Sequence, residues 1–353
     1  MKAVTMVMIV AILINAMAPT LVHAATYLQG STVEGFAQES VVTTRTSRTG
    51  FHFLQLPNNA RTIALGEAGV GVIGSGEAIL YNPAGLAFME GREAYFTYVN
   101  WIMSVKQYVA GVAANVPRIG AFGLSVVNHD RGPVWVETDP QEISDYAISA
   151  AYGSRITNRI SVGTTLKLIH QGYPKQNVFA FDLGTYFATG LRNTVIAMGV
   201  ENVSTSALGE PEQFGLPKNV RLGVILDLIA LTDISSRSHA LDLSVDVNNP
   251  IGFVAARVEQ VGGMQFRTSE DGFSTGMGIE YTYLYHTAKA RVLGVSLRGG
   301  YQSRPPTGIG SNTLGIGVRF SAGDLGLEVD YTSKFVGYVF DERVHILSVA
   351  FGF

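Results

Sequence analysis

Residues 324–331 read Asp324-Leu325-Gly326-Leu327-Glu328-Val329-Asp330-Tyr331. In an extended chain Leu325, Leu327, Val329 and Tyr331 share one face, and Asp324, Gly326, Glu328 and Asp330 share the other. A period of two marks a strand with one apolar and one polar side. The same alternation sets Leu241, Leu243, Val245 and Val247 against Asp242, Ser244, Asp246 and Asn248. It sets Val220, Leu222, Val224 and Leu226 against Arg221, Gly223 and Asp227, and Leu314, Ile316, Val318 and Phe320 against Gly315, Gly317 and Arg319. In a soluble sandwich the apolar rows would form the core. In a membrane barrel they face lipid, and the polar rows line the lumen. Periodicity alone does not choose between these.

The start of the chain and its composition do choose. Lys2 precedes an apolar run from Ala3 to Met17, and small residues at Val22 and Ala24 follow. This pattern reads as a secretory signal over residues 1–24, cleaved after Ala24. The run is too short for a bilayer span, which needs ~20 apolar residues, and no Cys follows Ala24 to carry a lipid anchor. The chain has no Cys at all, so an exported protein of this kind has no disulfide framework. Only 15% of its residues are charged, against about 25% in soluble domains, and Gly is abundant, with 40 in 353. The formal net charge of −3 and the lack of a basic patch argue against nucleic acid. An exported, Gly-rich, apolar chain without a second helical span points to a closed barrel, because only helices and closed barrels satisfy backbone groups in lipid.

The expectation is therefore an all-β antiparallel transmembrane barrel in the bacterial outer membrane, with N- and C-termini periplasmic. Strands are predicted at about 93–103, 106–116, 121–129, 145–154, 159–169, 178–187, 194–202, 219–228, 239–247, 275–284, 290–302, 312–320, 324–332 and 343–353. That is fourteen, an even number as single-chain bacterial barrels require. Turns at 117–120, 155–158, 188–193, 229–238, 285–289 and 321–323 would be periplasmic. The connections 130–144, 203–218 and 248–275 would be external loops. Inward-facing charges follow from the alternation: Arg221, Asp242, Asp246 and Glu280, then Arg298, Arg319, Glu328 and Asp330. Mixed signs favour ion pairs that brace a narrow interior over an open polar path. Trp101, Tyr108, Tyr152, Tyr186, Phe187, Tyr283, Tyr301 and Tyr331 lie near strand ends, where interfacial girdles place aromatics.

The last strand ends Leu347-Ser348-Val349-Ala350-Phe351-Gly352-Phe353. A terminal row closing on Phe351 and Phe353 resembles the signal that outer-membrane barrels present to their assembly machinery. Ahead of the strands lies a small, Gly-rich stretch, Arg61 to Ala87, which contains Gly66-Glu67-Ala68 and Tyr81-Asn82-Pro83-Ala84-Gly85-Leu86-Ala87. Pro83 keeps Asn82 out of the helical region, and the Asn82 side chain can hold a tight turn. With Trp101 in the first strand, Gly278-Ile279-Glu280-Tyr281, Leu297 to Tyr301 and His345, the pattern resembles the PorV/PorQ family within the FadL-like superfamily of outer-membrane barrels.

That resemblance implies that residues 61–92 fold into the lumen as a hatch, ahead of a barrel over 93–353, with 25–60 as a flexible polar arm. It implies hatch or gating roles for Arg61, Gly66, Asn82, Pro83 and Ala84. It implies a part in protein secretion to the cell surface, with secretion components or secreted proteins as partners beside lipid and the barrel-assembly machinery. The alternatives are a FadL-like uptake channel for hydrophobic small molecules and a purely structural barrel. Secretion calls for exposed apolar loop surface, around Val134-Trp135-Val136 or Ile251 to Val261. Uptake calls for an apolar pocket beside Asn82 and a bulged strand. Gly69-Val70-Gly71-Val72-Ile73-Gly74 matches a dinucleotide loop by spacing, but Pro83 interrupts the crossover helix that such a loop needs. The His residues are scattered without ligand spacing. No enzyme activity, cofactor or metal is expected.

Overall fold

The computed structural model describes residues 50–102, 105–136, 139–173, 175–207, 215–231, 238–251, 256–261, 264–269, 273–287, 291–303, 310–336 and 343–353. The predicted signal and most of the predicted arm lie outside these residues. The barrel strands are β1 (Arg92–Asn100), β2 (Lys106–Val116), β3 (Gly120–Val136), β4 (Asp139–Arg155), β5 (Ile160–Gly172), β6 (Lys175–Ala188), β7 (Val195–Ala207), β8 (Lys218–Asp227) and β9 (His239–Ile251). They continue, after a separate hairpin of β10 (Ala256–Val261) and β11 (Met264–Ser269), with β12 (Ser274–His286), β13 (Arg291–Ser303), β14 (Ser311–Ala322), β15 (Leu325–Val336) and β16 (Arg343–Gly352). Each pairs antiparallel with its neighbour, β9 pairs with β12, and β1 pairs with β16 from Glu93↔Gly352 to Asn100↔His345. The sheet closes as a 14-stranded barrel.

The outer face settles the choice left open by periodicity. Leu124, Leu166, Leu314 and Leu325 are 56%, 64%, 57% and 55% exposed. A soluble protein does not leave such a band in water; a transmembrane barrel requires it against lipid. Leu347, Phe351 and Phe353 belong to this band, and the last two rings stack at 5.8 Å. Short turns collect at the end of the barrel that holds Phe353. Between β14 and β15 only Gly323 and Asp324 intervene, and Gly323 takes φ 61°, as a tight hairpin demands.

Three expectations need correction, two of them at the other end. The predicted loop 130–144 is mostly strand, since β3 and β4 stay paired out to Val136↔Asp139 past a bulge between Asp130 and Pro133. The predicted loop 248–275 contains the β10–β11 hairpin. Tyr186 points inward rather than to a girdle, packing on Phe88 with ring centroids 4.6 Å apart.

The segment before β1 fills the lumen. It has a 3-10 turn at His52–Gln55, a short helix α1 (Ala60–Ala64), and 3-10 turns at Gly76–Leu80 and Pro83–Phe88. Phe51 and Phe53, within the stretch expected to be a polar arm, are buried. The Gly50 N–H donates to the Gly215 carbonyl (3.2 Å), ahead of β8 at the long-loop end. The described chain therefore starts at the end opposite Phe353. It runs down the lumen and leaves beside Phe353, where Arg92 and Phe353 exchange backbone hydrogen bonds of 3.0 and 2.9 Å.

Close seating explains the glycines. At Gly66 (φ 68°) an added Cβ would lie 2.4 Å from the Tyr301 carbonyl oxygen. At Gly184, in β6, it would lie 2.0 Å from Asn82 Oδ1. The plug lies directly against wall backbone at both places, and no side chain fits between.

Candidate functional site

The plug is gripped differently by the two sides of the barrel. On one side the wall is charged. Glu280 in β12 accepts from Arg61 of the plug (Nη2, 2.7 Å; Nε, 3.2 Å) and from Arg298 in β13 (Nε, 2.7 Å). Arg298 also pairs with Asp330 of β15, and its side chain is 1% exposed. Glu328 lies 3.9 Å from Arg298 and 2.6 Å from Arg319, which sits exposed toward the short-turn end. A second latch joins Glu67 of the plug to Lys334 and Gln302, whose own side chains meet at 2.8 Å. Farther round, Arg221 pairs with Glu201 at 3.0 Å and lies 5.9 Å from the Tyr81 ring centroid, within cation–π range.

The lumen charges predicted from the alternation thus sit on inward rows, and most are ion-paired. Asp242 lines a cavity described below. Asp246 does something the sequence did not suggest: its Oδ2 accepts the Val70 backbone N–H at 2.8 Å.

On the other side, over β2–β6, the inner wall departs from the expected polar lining. Val109, Val127, Ala147, Ile169 and Val178 are inward and buried, in one cluster with Phe51, Phe53, Ile79 and Leu86 of the plug. Here the plug is held by packing and by scattered neutral hydrogen bonds to its backbone and to Asn58 and Asn82. Ser161 Oγ donates to the Ala84 carbonyl (3.0 Å), and Arg155 Nε donates to the Ala87 carbonyl (3.0 Å).

Helix α1 is only five residues long, so its termini need outside partners. Asn59 caps it by accepting from the Thr62 N–H (2.9 Å). Thr332 and Thr313 from the wall donate to the carbonyls of Ala60 (2.7 Å) and Ala64 (3.0 Å). Glu77, in the next turn, is buried without an ion pair among the described residues, and desolvation, with the nearby Glu93 charge adding to it, lifts its carboxyl well above the usual range.

Asn82 is fully buried and makes three bonds. Its Oδ1 accepts the Ala84 N–H (3.2 Å), which starts the Pro83–Phe88 turn. Its Nδ2 donates to the carbonyls of Val70 (2.8 Å) and of Thr185 in β6 (3.1 Å). The Asn82-Pro83-Ala84 turn therefore fastens the Gly69-Val70-Gly71 loop to the wall. Arg61, Gly66, Asn82, Pro83 and Ala84 all lie in the plug, but at separate contacts. Arg61 is at the charged wall, Gly66 against β12 and β13, and the Asn82–Ala84 turn against β5 and β6.

Two cavities flank the plug beside β7–β9. The one toward the short turns is about 480 Å³, lined by Leu65, Val72, Ile73, Tyr186 and Ile225, with Arg61, Asp227, Asp242 and Glu280 among its polar groups. The one toward the long loops is about 50 Å³ and more polar, with Lys167, Glu201, Asn202, Arg221 and Tyr81. On β8, Arg221 faces the upper cavity, and Ile225 and Asp227 face the lower. Between them is Gly223, where an added Cβ would meet Val70 Cγ1 at 2.2 Å. Val70, fully buried against this glycine, lines neither cavity. Its N–H is held by Asp246 and its carbonyl by Asn82. Sequence reasoning singled out Asn82 but missed Val70 and Asp246. The glycines flanking Val70 were the available signal.

β7 is bulged next to this point. Asn202 adopts φ 56°, its N–H donates to Asp182 Oδ1 (2.8 Å), and the β6–β7 register shifts between Phe181 and Leu183. Among the described residues, the ladder nonetheless continues on both sides of the bulge.

Geometry of this kind defines a class: a closed transmembrane β-barrel whose N-terminal segment plugs its lumen. Several solved structures share the fold. They include a FadL homologue of Pseudomonas aeruginosa (12% identity, TM-score 0.52, covering 84% of this chain and 98% of that one). The toluene transporter TodX of Pseudomonas putida (11%, 0.51, 83% and 96%) and the toluene transporter TbuX of Ralstonia pickettii (13%, 0.50, 83% and 97%) match similarly. At these identities the likeness is one of fold. No protein-family model matches the chain, and no curated protein sequence does.

Proposed function

We propose that the protein is an outer-membrane channel for small hydrophobic or amphipathic molecules, closed at rest by its plug. The observation that carries this reading is Val70, buried against Gly223 and held by two side chains, beside the stretch of β8 between Arg221 and Ile225, which line different cavities. This Gly-flanked residue is our candidate for what keeps the two cavities apart. Short turns belong on the periplasmic side, so the 480 Å³ cavity opens toward the periplasm. Opening on this reading releases the Asn82 and Asp246 bonds to Val70 and moves it out of its packing against Ala84, Tyr186 and Ala197. The barrel wall and the Glu280–Arg298–Asp330 network stay in place. The shared fold with two toluene transporters supports a hydrophobic cargo, and the bulge in β7 is the wall irregularity that uptake calls for. Neither cavity is lined by Asn82 itself, and the one lined by its neighbour Tyr81 is more polar than that reading expected.

The secretion reading drawn from the PorV/PorQ resemblance has less support. The loop side chains it called on, around residues 134–136 and 251–261, lie outside the described residues. Phe351 and Phe353, outward and stacked, fit engagement by the barrel-assembly machinery.

A deletion strain assayed in parallel for toluene uptake and for export of surface proteins tests the reading. Uptake should fall and be restored by the intact gene, with export unchanged. Loss of export with normal uptake would overturn it.

A further inference from the structure

The outer wall over β1–β6 is not a uniform apolar band. Alanines stand on its outward rows among large residues. Ala114 pairs across the ladders with Arg92 and Phe122, and Ala150 pairs with Leu124 and Leu166. The result is a furrow. Its wider part, about 740 Å³, lies between Phe353, Ala114, Phe122, Tyr152 and Leu166, with Arg92 on its wall. A second hollow of about 360 Å³ shares Ala150 and Leu166 with the first and runs on to Phe179 and Phe181. From β1 to β6 the furrow crosses five strand spacings, about 24 Å. The ladders beneath it are continuous at these residues, so it does not open into the lumen.

The rim above the furrow, at the short-turn end, is cationic. The turns that join β2 to β3, β4 to β5 and β6 to β7 hold Arg118, Arg159 and Arg192 and no Asp or Glu, and Arg155 ends β4. Arg92 and Arg118 are exposed, and neither guanidinium has a hydrogen bond or an ion pair among the described residues. Of the acidic side chains nearby, Glu90 is exposed two residues before Arg92. Glu93 is turned inward, accepting from Ser75 Oγ (2.9 Å) and the Gly76 N–H (2.7 Å). Tyr152 ties the rim to the furrow. Its ring packs on Phe122 with centroids 5.0 Å apart, and its hydroxyl donates to the Ile119 carbonyl, next to Arg118, at 2.6 Å.

An apolar furrow beneath unpaired cations matches one kind of molecule, with an apolar chain below a negatively charged head. Basic residues at a membrane surface attract anionic headgroups. The alanines leave a hollow whose lining lacks partner atoms, and a chain lying in it restores those contacts. We propose that the furrow is a docking site for a diacyl phospholipid with an anionic headgroup, taken from the leaflet beside the short turns. Its phosphate sits on Arg92 and Arg118, and one acyl chain lies across Ala114 and Ala150 toward Phe179. The site is on the outside of the barrel, so it does not rest on the uptake reading. A lipid held there covers the outer side of the wall whose inner side packs the plug through Val109, Val127 and Ile169.

The chain lacks Cys, so Leu166→Cys in the full-length purified barrel accepts a single fluorophore where the two hollows meet. The barrel is reconstituted in phosphatidylcholine, and phosphatidylglycerol with brominated chains is the probe. Quenching should reach its half-point at a mole fraction at least tenfold lower than with brominated phosphatidylcholine. Arg92→Gln combined with Arg118→Gln should abolish that preference. Ala150→Leu, which fills the furrow, should abolish it too, and both variants should keep the heat-modifiability of the parent. A fluorophore at Leu314→Cys, across the barrel, should show no preference. Equal half-points for the two lipids at residue 166, the same preference at residue 314, or a preference that survives these substitutions overturns the proposal. So does energy transfer between labelled copies that tracks protein density and ignores phosphatidylglycerol, which makes the furrow a self-association face instead.

Discussion

The two sides of the barrel hold one plug by opposite physics. Over β12–β15 the grip is ionic, through Arg61, Glu280, Arg298 and Asp330, with Glu67, Lys334 and Gln302 beside it. Over β2–β6 the grip is apolar, with Ile79, Leu86, Phe51 and Phe53 against Val109, Val127, Ile169 and Val178. Ion pairs buried this deeply gain little net stability but punish the loss of one partner severely. They fix one orientation of the plug. Apolar contact is non-directional and can be exchanged for other apolar contact, which is what a cargo offers. Between the two grips, against Gly223 of β8, lies Val70, the partition we propose, where neither dominates.

Breaking the ionic side should have the largest effect. Arg298→Ala strands Glu280 and Asp330 without their shared guanidinium, and a broken buried pair costs about 3–5 kcal/mol. The heat-modifiability transition of the purified barrel should fall clearly, and bilayer conductance should become noisy. An unchanged transition would show that this network is not what seats the plug.

Asn82→Ala comes next. It leaves the Val70 and Thr185 carbonyls without their donor and removes the cap on Ala84, at about 1–3 kcal/mol for buried groups left unpaired. Thiol labelling of a Val70→Cys reporter should be slow in the parent and much faster with Asn82→Ala. Val70→Gly should be milder for stability, on the order of 2 kcal/mol of lost burial, yet it should join the cavities and raise small-solute conductance. Stability lost without added conductance would place the barrier elsewhere.

Glu77→Gln should have the smallest effect and one tied to pH. The Glu77 carboxyl is raised by burial, so its contribution is intact at low pH and is lost as pH rises through the lifted value. The parent plug should loosen as pH rises above the usual carboxylate range, and Glu77→Gln should remove that step while matching the parent at acid pH. A step on raising pH that survives the substitution belongs to another group.

Much of this was legible in the chain. The outward rows of β8, β9, β14, β15 and β16 follow from strict alternation, because strand geometry is local and has a fixed period. The Asn82-Pro83-Ala84 turn was legible for the same reason: an Asx cap and a fixed proline φ act within three residues. The inner wall of β2–β6 was not. Val126-Val127, Ala147-Ile148 and Leu168-Ile169 are apolar on both faces, so alternation fades there, and only the plug shows why an inward Val127 is tolerated. Phe51-His52-Phe53 carried an alternating aromatic signal, but a polar run before it masked it as part of an arm. The extra hairpin over 256–269 and the extension of β3 and β4 depend on pairing between distant segments, which a linear pattern does not encode.

Local regularity thus determined the class on its own: strand count, a lipid-facing band, and a capped Gly-rich segment ahead of β1. Tertiary structure alone decided where that segment sits and what it closes. Val70 acquires meaning only when Gly223, Asp246 and Asn82 converge on it, from positions 153, 176 and 12 residues away. A partition is a relation among residues brought together by closure of the barrel, and no stretch of chain specifies it before the barrel closes.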